Sequence, residues 1–180
     1  MRTVPELVAT VPQVGAVAWI GVRTERRGTV APVDEVDAVV GLGLAGDHRA
    51  ATRRPDPRTR RQVTLLQAEH LPVVAALVGR DRVDPALLRR NVAIAGLPLQ
   101  ATRERRLALG PDVVLEVTGW CHPCSRMEEA LGPGGYQAVR GHGGVTARVL
   151  AGGRFRVGDE VRVLDDPADD VGDDGGSAPG

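Results

Sequence analysis

Glycine and proline recur throughout this chain and divide it into short apolar segments. The 180 residues include 23 glycines and 13 prolines. The segments between them are rich in Val, Leu, Ile and Ala, as in residues 14–23 (VGAVAWIGVR), 113–118 (VVLEVT) and 161–164 (VRVL). Short β-branched and aliphatic runs bounded by turn residues are typical of strands. Many short strands with Gly-rich turns predict a mainly β fold (α+β) with a few short helices, closed into a barrel or a strongly twisted sheet.

Local patterns place the individual elements. Strands are expected at residues 14–23, 36–40, 61–66, 91–95, 106–109, 113–118, 146–150, 154–157 and 161–164. Helices are expected at residues 68–77, 84–90 and 125–131, the second begun by an Asp-Pro pair. Ser125 followed by Glu128 predicts a capping box for the third helix. Ala-Gly-Gly at 151–153 predicts a hairpin between the two strands that flank it.

The size and composition of the chain set its organisation. Aromatic residues are only 2% of the chain, so the core has to be aliphatic. Residues 1–164 are long enough to bury one core and are expected to form a single domain. Residues 165–180 (DDPADDVGDDGGSAPG) carry six aspartates and no basic residue, which predicts a disordered acidic tail. Because the formal net charge of the whole chain is zero, the remainder carries a formal charge of +6.

Composition also argues against several classes of function. No apolar run approaches the roughly 20 residues that a membrane helix needs, so no membrane association is expected. Residues 1–13 lack the apolar region of a signal peptide, and two cysteines without an export signal favour the cytoplasm. All basic residues are arginines, so no lysine can form a Schiff base with pyridoxal phosphate. One Tyr and one Phe cannot build a stacking platform, so nucleic acid is not an expected partner.

Residues 41–46 (GLGLAG) match the dinucleotide-binding pattern G-x-G-x-x-G. That pattern binds pyrophosphate only where the glycines open a helix inside a βαβ unit. Here Asp-His-Arg follows, and two prolines soon break the chain. No helix is therefore expected directly after the loop, and the nucleotide-binding interpretation is rejected.

Both cysteines lie in residues 119–127 (GWCHPCSRM), between a predicted strand and a predicted short helix. Locally this resembles the Trp-Cys-x-Pro-Cys site of thioredoxins, in which two thiols exchange with a disulfide. The long helix and further strands that complete that fold do not follow. Dithiol chemistry of Cys121 and Cys124 is therefore an alternative only on another scaffold. Structural zinc is disfavoured, because the four histidines supply no second paired motif.

Polar residues recur where predicted strands meet loops. These junctions are residues 46–49, 61–62, 89–91, 124–126 and 141–144. In a small barrel such junctions can converge at one mouth. Arginine suits bidentate recognition of phosphate, and a thiolate suits a soft metal or a mobile sulfur. The set predicts a site for an anionic, phosphate-bearing cofactor with a soft metal or sulfur.

Five ordered blocks of the sequence resemble the MOSC domain, the C-terminal domain of molybdenum-cofactor sulfurases and of stand-alone bacterial relatives. The blocks are GLAGDHRA (43–50), RQVTLLQAEHL (61–71), LLRRNVAIAGLPL (87–99), GWCHPCSRMEEAL (119–131) and GHGGVTARVLAGGRFRVGDEV (141–161). They occur in the family's order and cover nearly all of the body before the acidic tail. The resemblance implies a β-barrel-like fold that binds the molybdenum cofactor (molybdopterin).

The family's hallmark is a cysteine after a proline, which by resemblance is Cys124. Its sulfur is implied to be the catalytic group, as a ligand of molybdenum or as a sulfur carrier. Arginines and backbone N–H groups would hold the pterin phosphate, and an asparagine the pterin or an oxo group. Cys121 is a departure from the family: it is an extra thiol beside the hallmark, expected as a redox partner that forms a disulfide with Cys124 or resolves a persulfide there. The resemblance implies cofactor-binding roles for Asp47, His48, Arg61, Arg90, Asn91, Arg126, Gly143, Gly144 and Arg148.

These expectations lead to three hypotheses about function. The first is a molybdenum-cofactor protein that relays sulfur to the cofactor or uses it in a small oxidoreductase acting on N-hydroxylated compounds. The second is a non-enzymatic carrier that hands molybdopterin to a partner, and the third is a dithiol redox protein. Expected partners are molybdopterin or a molybdenum-cofactor protein, with a separate desulfurase or electron donor. The desulfurase has to be separate because the sequence lacks that domain and is not expected to hold pyridoxal phosphate.

Overall fold

A computed structural model describes residues 1–164, so the predicted disorder of residues 165–180 lies outside the described residues. The strands are β1 (Val14–Val22), β2 (Ala31–Val33), β3 (Glu35–Val39), β4 (Gly43–Leu44), β5 (Val63–Gln67), β6 (Val92–Ala95), β7 (Arg106–Leu109), β8 (Val113–Trp120), β9 (Val145–Ala151), β10 (Gly153–Arg156) and β11 (Glu160–Leu164). The α-helices are α1 (Val4–Ala9), α2 (His48–Thr52), α3 (His70–Leu77), α4 (Ser125–Leu131) and α5 (Gly135–Val139). Two 3-10 helices span Pro85–Leu88 and Leu99–Thr102. Within residues 1–164, none of these helices is long and apolar enough to cross a bilayer.

Seven strands close into a barrel. Their order around the barrel is β1, β6, β5, β9, β8, β7 and β11, and β11 pairs again with β1. Neighbouring strands are antiparallel except β5 and β6, which are parallel. Parallel neighbours need a crossover connection, and here it contains α3 and the 3-10 helix at Pro85–Leu88. The predicted mainly β, barrel-like fold with short helices is confirmed.

Strand β1 joins several parts of the sheet. Its first residues pair with β11, its centre with β6 and its last residues with β2. The register with β6 shifts between Val17 and Trp19, and a bulge at that point bends a strand and increases its twist. Because β1 ends at Val22, Arg23 is the first residue of the loop at that end of the barrel.

The predicted hairpin between residues 146–150 and 154–157 is wrong. Strand β10 pairs with β3 instead of β9, with Phe155 opposite Val36, in a second sheet completed by β4. A Cβ atom at Gly152 would lie 2.7 Å from the carbonyl oxygen of Ala38. Because glycine permits this close approach, the chain crosses to the second sheet where a tight turn would have reversed it.

The barrel interior is filled by aliphatic side chains. In β7 and β8, the buried residues Leu107, Leu109 and Leu115 alternate with residues that face outward, among them Arg106 and Glu116. This two-residue period is the one that a half-buried strand requires. Each buried leucine contributes about 1.5–3 kcal/mol. The expected aliphatic core is confirmed, with Phe155 as the aromatic side chain buried in it.

A second apolar cluster packs helices α3, α4 and α5 against the outside of the barrel. Its buried side chains include Leu66 from β5, Val74 from α3, Met127 from α4 and Val139 from α5. Met127 lies three residues after Cys124, so its burial fixes the start of α4 against the barrel. The barrel and this cluster together hold the loops that carry the polar residues.

Candidate functional site

The loop after β4 is held in place by the carboxylate of Asp47, which is buried. Its Oδ1 accepts the backbone N–H of Arg49 at 2.9 Å. Its Oδ2 accepts the backbone N–H of Arg23 and an Nδ2–H of Asn91, each at 3.3 Å. Both carboxylate oxygens are therefore engaged by protein donors, and they tie the end of β1 to this loop.

A short helix follows the Gly-rich loop, so the prediction that none would form there is wrong. Helix α2 begins at His48, with Asp47 as its N-cap, and ends at Thr52 before the chain becomes extended at Arg53. The capping carboxylate satisfies N–H groups that a short helix would otherwise leave free. Strand β4 pairs antiparallel with β3, so the loop is not part of the βαβ unit that dinucleotide binding requires.

Asn91 cross-links three strands through its side-chain amide. Its Oδ1 accepts the backbone N–H of Thr64 at 3.1 Å and the Thr64 hydroxyl at 2.9 Å. Its Nδ2 donates to the carbonyl of Gly21 at 3.4 Å, in addition to Asp47. The amide therefore binds to β5 and β1 from the start of β6, and the local geometry makes it a fixed part of the rim.

The guanidinium of Arg90 is buried and binds three backbone carbonyls. Nε donates to Gly143 and one terminal nitrogen to Leu88, both at 2.7 Å, and the other terminal nitrogen donates to Cys121 at 3.3 Å. Burial lowers the pKa of Arg90 below its ordinary value, and the nearby sulfur of Cys121 opposes that shift. Arg90 therefore holds the cysteine loop and the Gly-rich loop of residues 141–144 together.

Two glycines allow these loops to approach closely. A Cβ atom at Gly143 would lie 2.2 Å from the carbonyl oxygen of Cys121. At Gly144, where φ is +81°, a Cβ atom would lie 1.9 Å from the carbonyl oxygen of Leu65. Only glycine fits these positions, so both residues are required for packing whether or not they contact a ligand.

A small cavity, which we call the arginine pocket, lies at this rim. Its volume is about 40 Å³, and it opens beside a wider surface depression of about 370 Å³, the arginine basin. Polar residues that line the arginine pocket are Arg23, Asp47, Arg49, Arg61, Thr64, Arg89, Arg90 and Asn91. The arginine basin is lined by Arg23, Arg26, Arg27, His48, Arg49, Thr52, Arg53 and Arg126. The two share Arg23 and Arg49.

Positive charge in the arginine pocket is poorly balanced. Burial lowers the pKa of the Arg49 guanidinium, and repulsion from Arg61, Arg53 and Arg23 lowers it further. Nε of Arg23 is buried and has no hydrogen-bond partner within residues 1–164. Of the carboxylates in the described part of the chain, only that of Asp47 lines the pocket. Crowded guanidinium groups with an unsatisfied buried donor form a site that favours an anion.

The two cysteines have opposite environments. Cys121 is buried, and its Sγ accepts an N–H of Arg61 at 3.4 Å. Cys124 is exposed, occupies the N-cap position of α4 and makes no side-chain capping bond. Both thiols are free. Burial lowers the pKa of Arg89, repulsion from Arg23 and Arg126 lowers it further, and the Cys124 sulfur opposes these effects.

The capping box predicted at Ser125 is not formed. Cys124 is the N-cap, and Ser125 is the first residue of α4. The carboxylate of Glu128 instead accepts the backbone N–H groups of Gly134 and Tyr136, each at 2.8 Å. Glu128 therefore caps the start of α5, which the sequence pattern did not indicate because α5 was not predicted.

A third cavity, the cysteine-loop cavity, has a volume of about 570 Å³. One wall is the loop that carries the cysteines, from Trp120 to Pro123, and another is the glycine-rich loop. Its lining residues are Gln100, Trp120, Cys121, His122, Pro123, Gln137, Arg140, Gly141, Gly143 and Gly144. Cys121 connects the two regions, because its backbone lies against Gly143 and its sulfur contacts Arg61 of the arginine pocket.

The predicted site residues therefore divide among these regions. Asp47, Arg61, Arg90 and Asn91 line the arginine pocket, and His48 and Arg126 line the basin. Cys121, Gly143 and Gly144 line the cysteine-loop cavity. Cys124 lines none of the three and lies exposed at the start of α4, between Pro123 of the cavity and Arg126 of the basin. Arg148 also lines none of them and instead forms an ion pair with Glu116 on the neighbouring strand. Its assignment to the cofactor has no geometric support.

Three arginines of the pocket were not assigned to it from the sequence. Arg49 and Arg89 lie inside two of the polar junctions, 46–49 and 89–91, beside residues to which the family resemblance gives a role. The predicted strand at residues 14–23 ends at Arg23, which directly follows β1 in the structure. No role in the site was predicted for it. The signal that could have identified Arg23 is its position at the end of an element. Every other arginine of the pocket also lies within two residues of the end of a strand or helix.

Comparisons with known proteins give the fold relatives of this chain. Its structure is similar to that of YuaD from Bacillus subtilis, with a TM-score of 0.73 and 20% sequence identity over 86% of this chain and 98% of that one. It is also similar to YiiM from Geobacillus stearothermophilus, with a TM-score of 0.66 and 17% identity over 84% and 75% of the chains. For YiiM from Escherichia coli the TM-score is 0.62 and the sequence identity is 18%, over 86% of this chain and 70% of that one. No curated protein matches the sequence.

The family assignment comes from the sequence profile and agrees with the resemblance described above. The profile of the MOSC domain matches residues 45–162, which is more than half of the chain. The matched range contains four of the five blocks whole and residues 45–50 of the first block, and it includes both cysteines. This chain belongs to the MOSC domain family, a family associated with the molybdenum cofactor.

Proposed function

We propose that this protein binds the molybdenum cofactor, with the phosphate of its pterin in the arginine pocket. The observation that carries the proposal is the unbalanced positive charge of that pocket. The charged form of Arg49 is destabilised by burial and by repulsion from three neighbouring arginines. Nε of Arg23 lacks a hydrogen-bond partner among the described residues. A bound phosphate would supply acceptor oxygens and offset the repulsion, and arginine is well suited to bind it bidentately.

The residues of the pocket fit a phosphate with a division of roles. We assign direct contact to Arg23, Arg49, Arg61 and Arg89, whose charges are not paired with a carboxylate within residues 1–164. Arg90, Asn91 and Asp47 act by position, because their polar atoms already bind protein partners. His48 and Arg126, in the basin, are assigned to the part of the cofactor that extends beyond the small pocket.

Cys124 is the proposed ligand of the metal or carrier of sulfur. Its thiol is exposed at the start of α4, two residues before Arg126 of the basin. Cys121 is buried and its sulfur accepts a hydrogen bond from Arg61, so it is less able to reach a bound group. When bound, the cofactor supplies a molybdenum centre that can exchange electrons and an oxygen or sulfur atom.

Two reactions are compatible with such a site. In sulfur relay, a separate desulfurase places a sulfur atom on Cys124 as a persulfide. A separate donor then supplies two electrons, the S–S bond breaks with uptake of two protons, and the outer sulfur leaves as sulfide for the cofactor while the Cys124 thiol is regenerated. In the oxidoreductase reaction, a separate donor supplies two electrons, two protons are taken up, and an N-hydroxylated compound yields an amine and water. Arginine side chains near the site would favour approach of anionic donors.

The experiment is metal and pterin analysis of protein expressed in a host that makes the cofactor. Wild type is compared with Cys124→Ser, Cys121→Ser, Arg49→Gln and Arg162→Gln. The last is a matched control, because Arg162 is exposed on β11 and pairs with Glu160. We expect molybdenum and pterin in wild type, Cys121→Ser and the control. We expect loss of metal in Cys124→Ser and loss of both pterin and metal in Arg49→Gln.

The outcomes separate the hypotheses. Cofactor that is retained but supports no reduction of an N-hydroxylated compound, and no persulfide on Cys124, would indicate a carrier. No pterin in wild type, together with a reversible disulfide between Cys121 and Cys124, would contradict cofactor binding and support the dithiol alternative. Equal pterin content in Arg49→Gln and wild type would remove the arginine pocket from the proposal.

A further inference from the structure

The cysteine-loop cavity has the size of a small-molecule site. Its volume of about 570 Å³ lies within the range of roughly 300–1,000 Å³ that is usual for ligand pockets. It is separate from the arginine pocket, which shares none of its lining residues. The glycine-rich loop contributes Gly141, Gly143 and Gly144 to one wall, so the backbone itself is accessible to a flat ligand there.

Trp120 gives this cavity an aromatic surface. It is the last residue of β8 and remains 40% exposed, an unusual state for the largest apolar side chain. The other tryptophan, Trp19, has a different environment, since its ring lies over Gly21 on β1. An exposed indole at the mouth of a cavity can stack on a planar ring, and aromatic pairs contribute about 0.5–1.5 kcal/mol beyond the area they bury.

The charge in this cavity is positive. Arg140 lines it and forms no ion pair and no side-chain hydrogen bond within residues 1–164. Gln137, one helical turn earlier, is also free of side-chain bonds in that range and can donate from its amide. Among the described residues, no Asp or Glu lines the cavity. Both side chains are exposed, so a guanidinium and a primary amide are available there to bind a carboxylate.

We infer that the cysteine-loop cavity binds a small planar aromatic carboxylate, with its ring on Trp120 and its carboxylate on Arg140 and Gln137. The inference comes from the lining residues alone and does not depend on the cofactor.

The test uses the Trp19→Phe variant, in which Trp120 is the single tryptophan of the chain. The protein is prepared without cofactor and titrated with benzoate, benzamide and benzamidine while Trp120 fluorescence is recorded. These three probes share one planar shape and differ in charge. We expect benzoate to quench the emission and to bind about tenfold more tightly than benzamide, because of its charge-assisted bonds to Arg140. Benzamidine should bind more weakly than either.

Variants identify the residues and exclude the other cationic site. Arg140→Gln should reduce benzoate affinity to that of benzamide, whereas Arg49→Gln, in the arginine pocket, should leave it unchanged. If Trp19→Phe does not fold, the same titration is made on the wild type and on Trp120→Phe, and the Trp120 signal is taken as the difference.

Two results would overturn the inference. One is benzamidine binding as tightly as benzoate, and the other is no Trp120 response to any of the three probes. Because cofactor-free protein is used, neither result bears on the proposed binding of molybdenum cofactor. Conversely, absence of molybdenum and pterin from the wild type would leave benzoate binding intact.

Discussion

The arginine pocket and the cysteine-loop cavity meet at Cys121, yet they are built in opposite ways. In the pocket, Asp47 and Asn91 are fixed by protein partners, and arginines crowd a volume of about 40 Å³. In the cavity, a single arginine and an exposed indole face about 570 Å³. A small, rigid, highly charged site suits one group of fixed shape, whereas a wide site with few polar contacts suits the variable part of a ligand. Residues that hold the boundary between them should therefore affect both.

The largest effect is expected at Arg90, which holds that boundary. Arg90→Met keeps most of the side-chain volume but removes the donors to the carbonyls of Leu88, Cys121 and Gly143. We expect the free energy of unfolding to fall by about 3 kcal/mol, since buried carbonyls lose charged donors. Urea unfolding of the variant and of the Arg162→Gln control measures this. A decrease no larger than that of the control would mean that Arg90 does not join the two regions.

The next effect is expected at the glycine-rich loop, where two positions offer a matched pair. Gly141 and Gly144 both have positive φ, of +84° and +81°. A Cβ atom at Gly141 would meet nothing within 4 Å, whereas one at Gly144 would lie 1.9 Å from the Leu65 carbonyl oxygen. We expect Gly141→Ala to lose about 1 kcal/mol from backbone strain alone, and Gly144→Ala to lose about 2 kcal/mol more from the clash. Thermal unfolding of both proteins provides the comparison, and equal losses would contradict it.

A smaller effect distinguishes the two thiols. Cys124 is exposed and Cys121 is buried against Arg61, so iodoacetamide should alkylate Cys124 at least about tenfold faster. Mass spectrometry of peptides after timed alkylation gives the two rates in one experiment. Cys121→Ser should leave the rate at Cys124 unchanged. Faster modification of Cys121 in the native protein would reverse the assignment of the accessible thiol.

The smallest effect concerns the pH dependence of stability, through the contact of His142 in the glycine-rich loop with His70. The ring of His142 packs edge-on against that of His70, with centroids 4.9 Å apart. Burial lowers the pKa of His70, the charge of His142 lowers it further, and Glu69 opposes both. The unfolded chain therefore binds more protons than the folded protein as pH falls through about 6.5, so stability decreases with acidification.

The measurement is the unfolding midpoint at pH 7.5 and at pH 5.5, for the wild type and for His70→Gln. We expect the wild type to lose more stability than His70→Gln over this interval, because carboxylates titrate mostly below it. The contribution of His70 is present above its unfolded pKa and is lost below it. Equal losses in the two proteins would mean that the pair does not couple the loop to pH.

Much of the fold was predictable because it depends on local patterns. The β-branched runs became strands, and Asp84 caps the 3-10 helix at Pro85, with the N–H of Ala86 donating to it at 2.8 Å. The crossing of the chain to the second sheet at Gly152 was not predictable, because the glycines that favour a tight turn also permit the close approach to Ala38 that this crossing requires. A local pattern cannot distinguish these two uses of glycine.

The candidate site was predictable to a lesser extent. The sequence, through its resemblance to a family, indicated Asp47, Arg61 and Arg90, which do line one pocket. It gave no means to see that Arg90 binds three carbonyls, or that Arg23 at the end of β1 faces the same pocket. Those facts depend on which strands are neighbours, and the pairing of β1 with β6 joins residues about seventy positions apart.

The sequence by itself determined the family, the aliphatic core, most strand positions and the chemical character of the site, since each follows from residue type and short-range order. Only the tertiary structure decided the strand order, the division between arginines that are bound and arginines that are free, and the separation of one cavity from another. Burial and partner choice are properties of packed surfaces, and identical arginines acquire different roles there. Cys121 and Cys124, three residues apart, differ for the same reason: α4 is packed against the barrel through Met127, which leaves one thiol inside and the other at the surface.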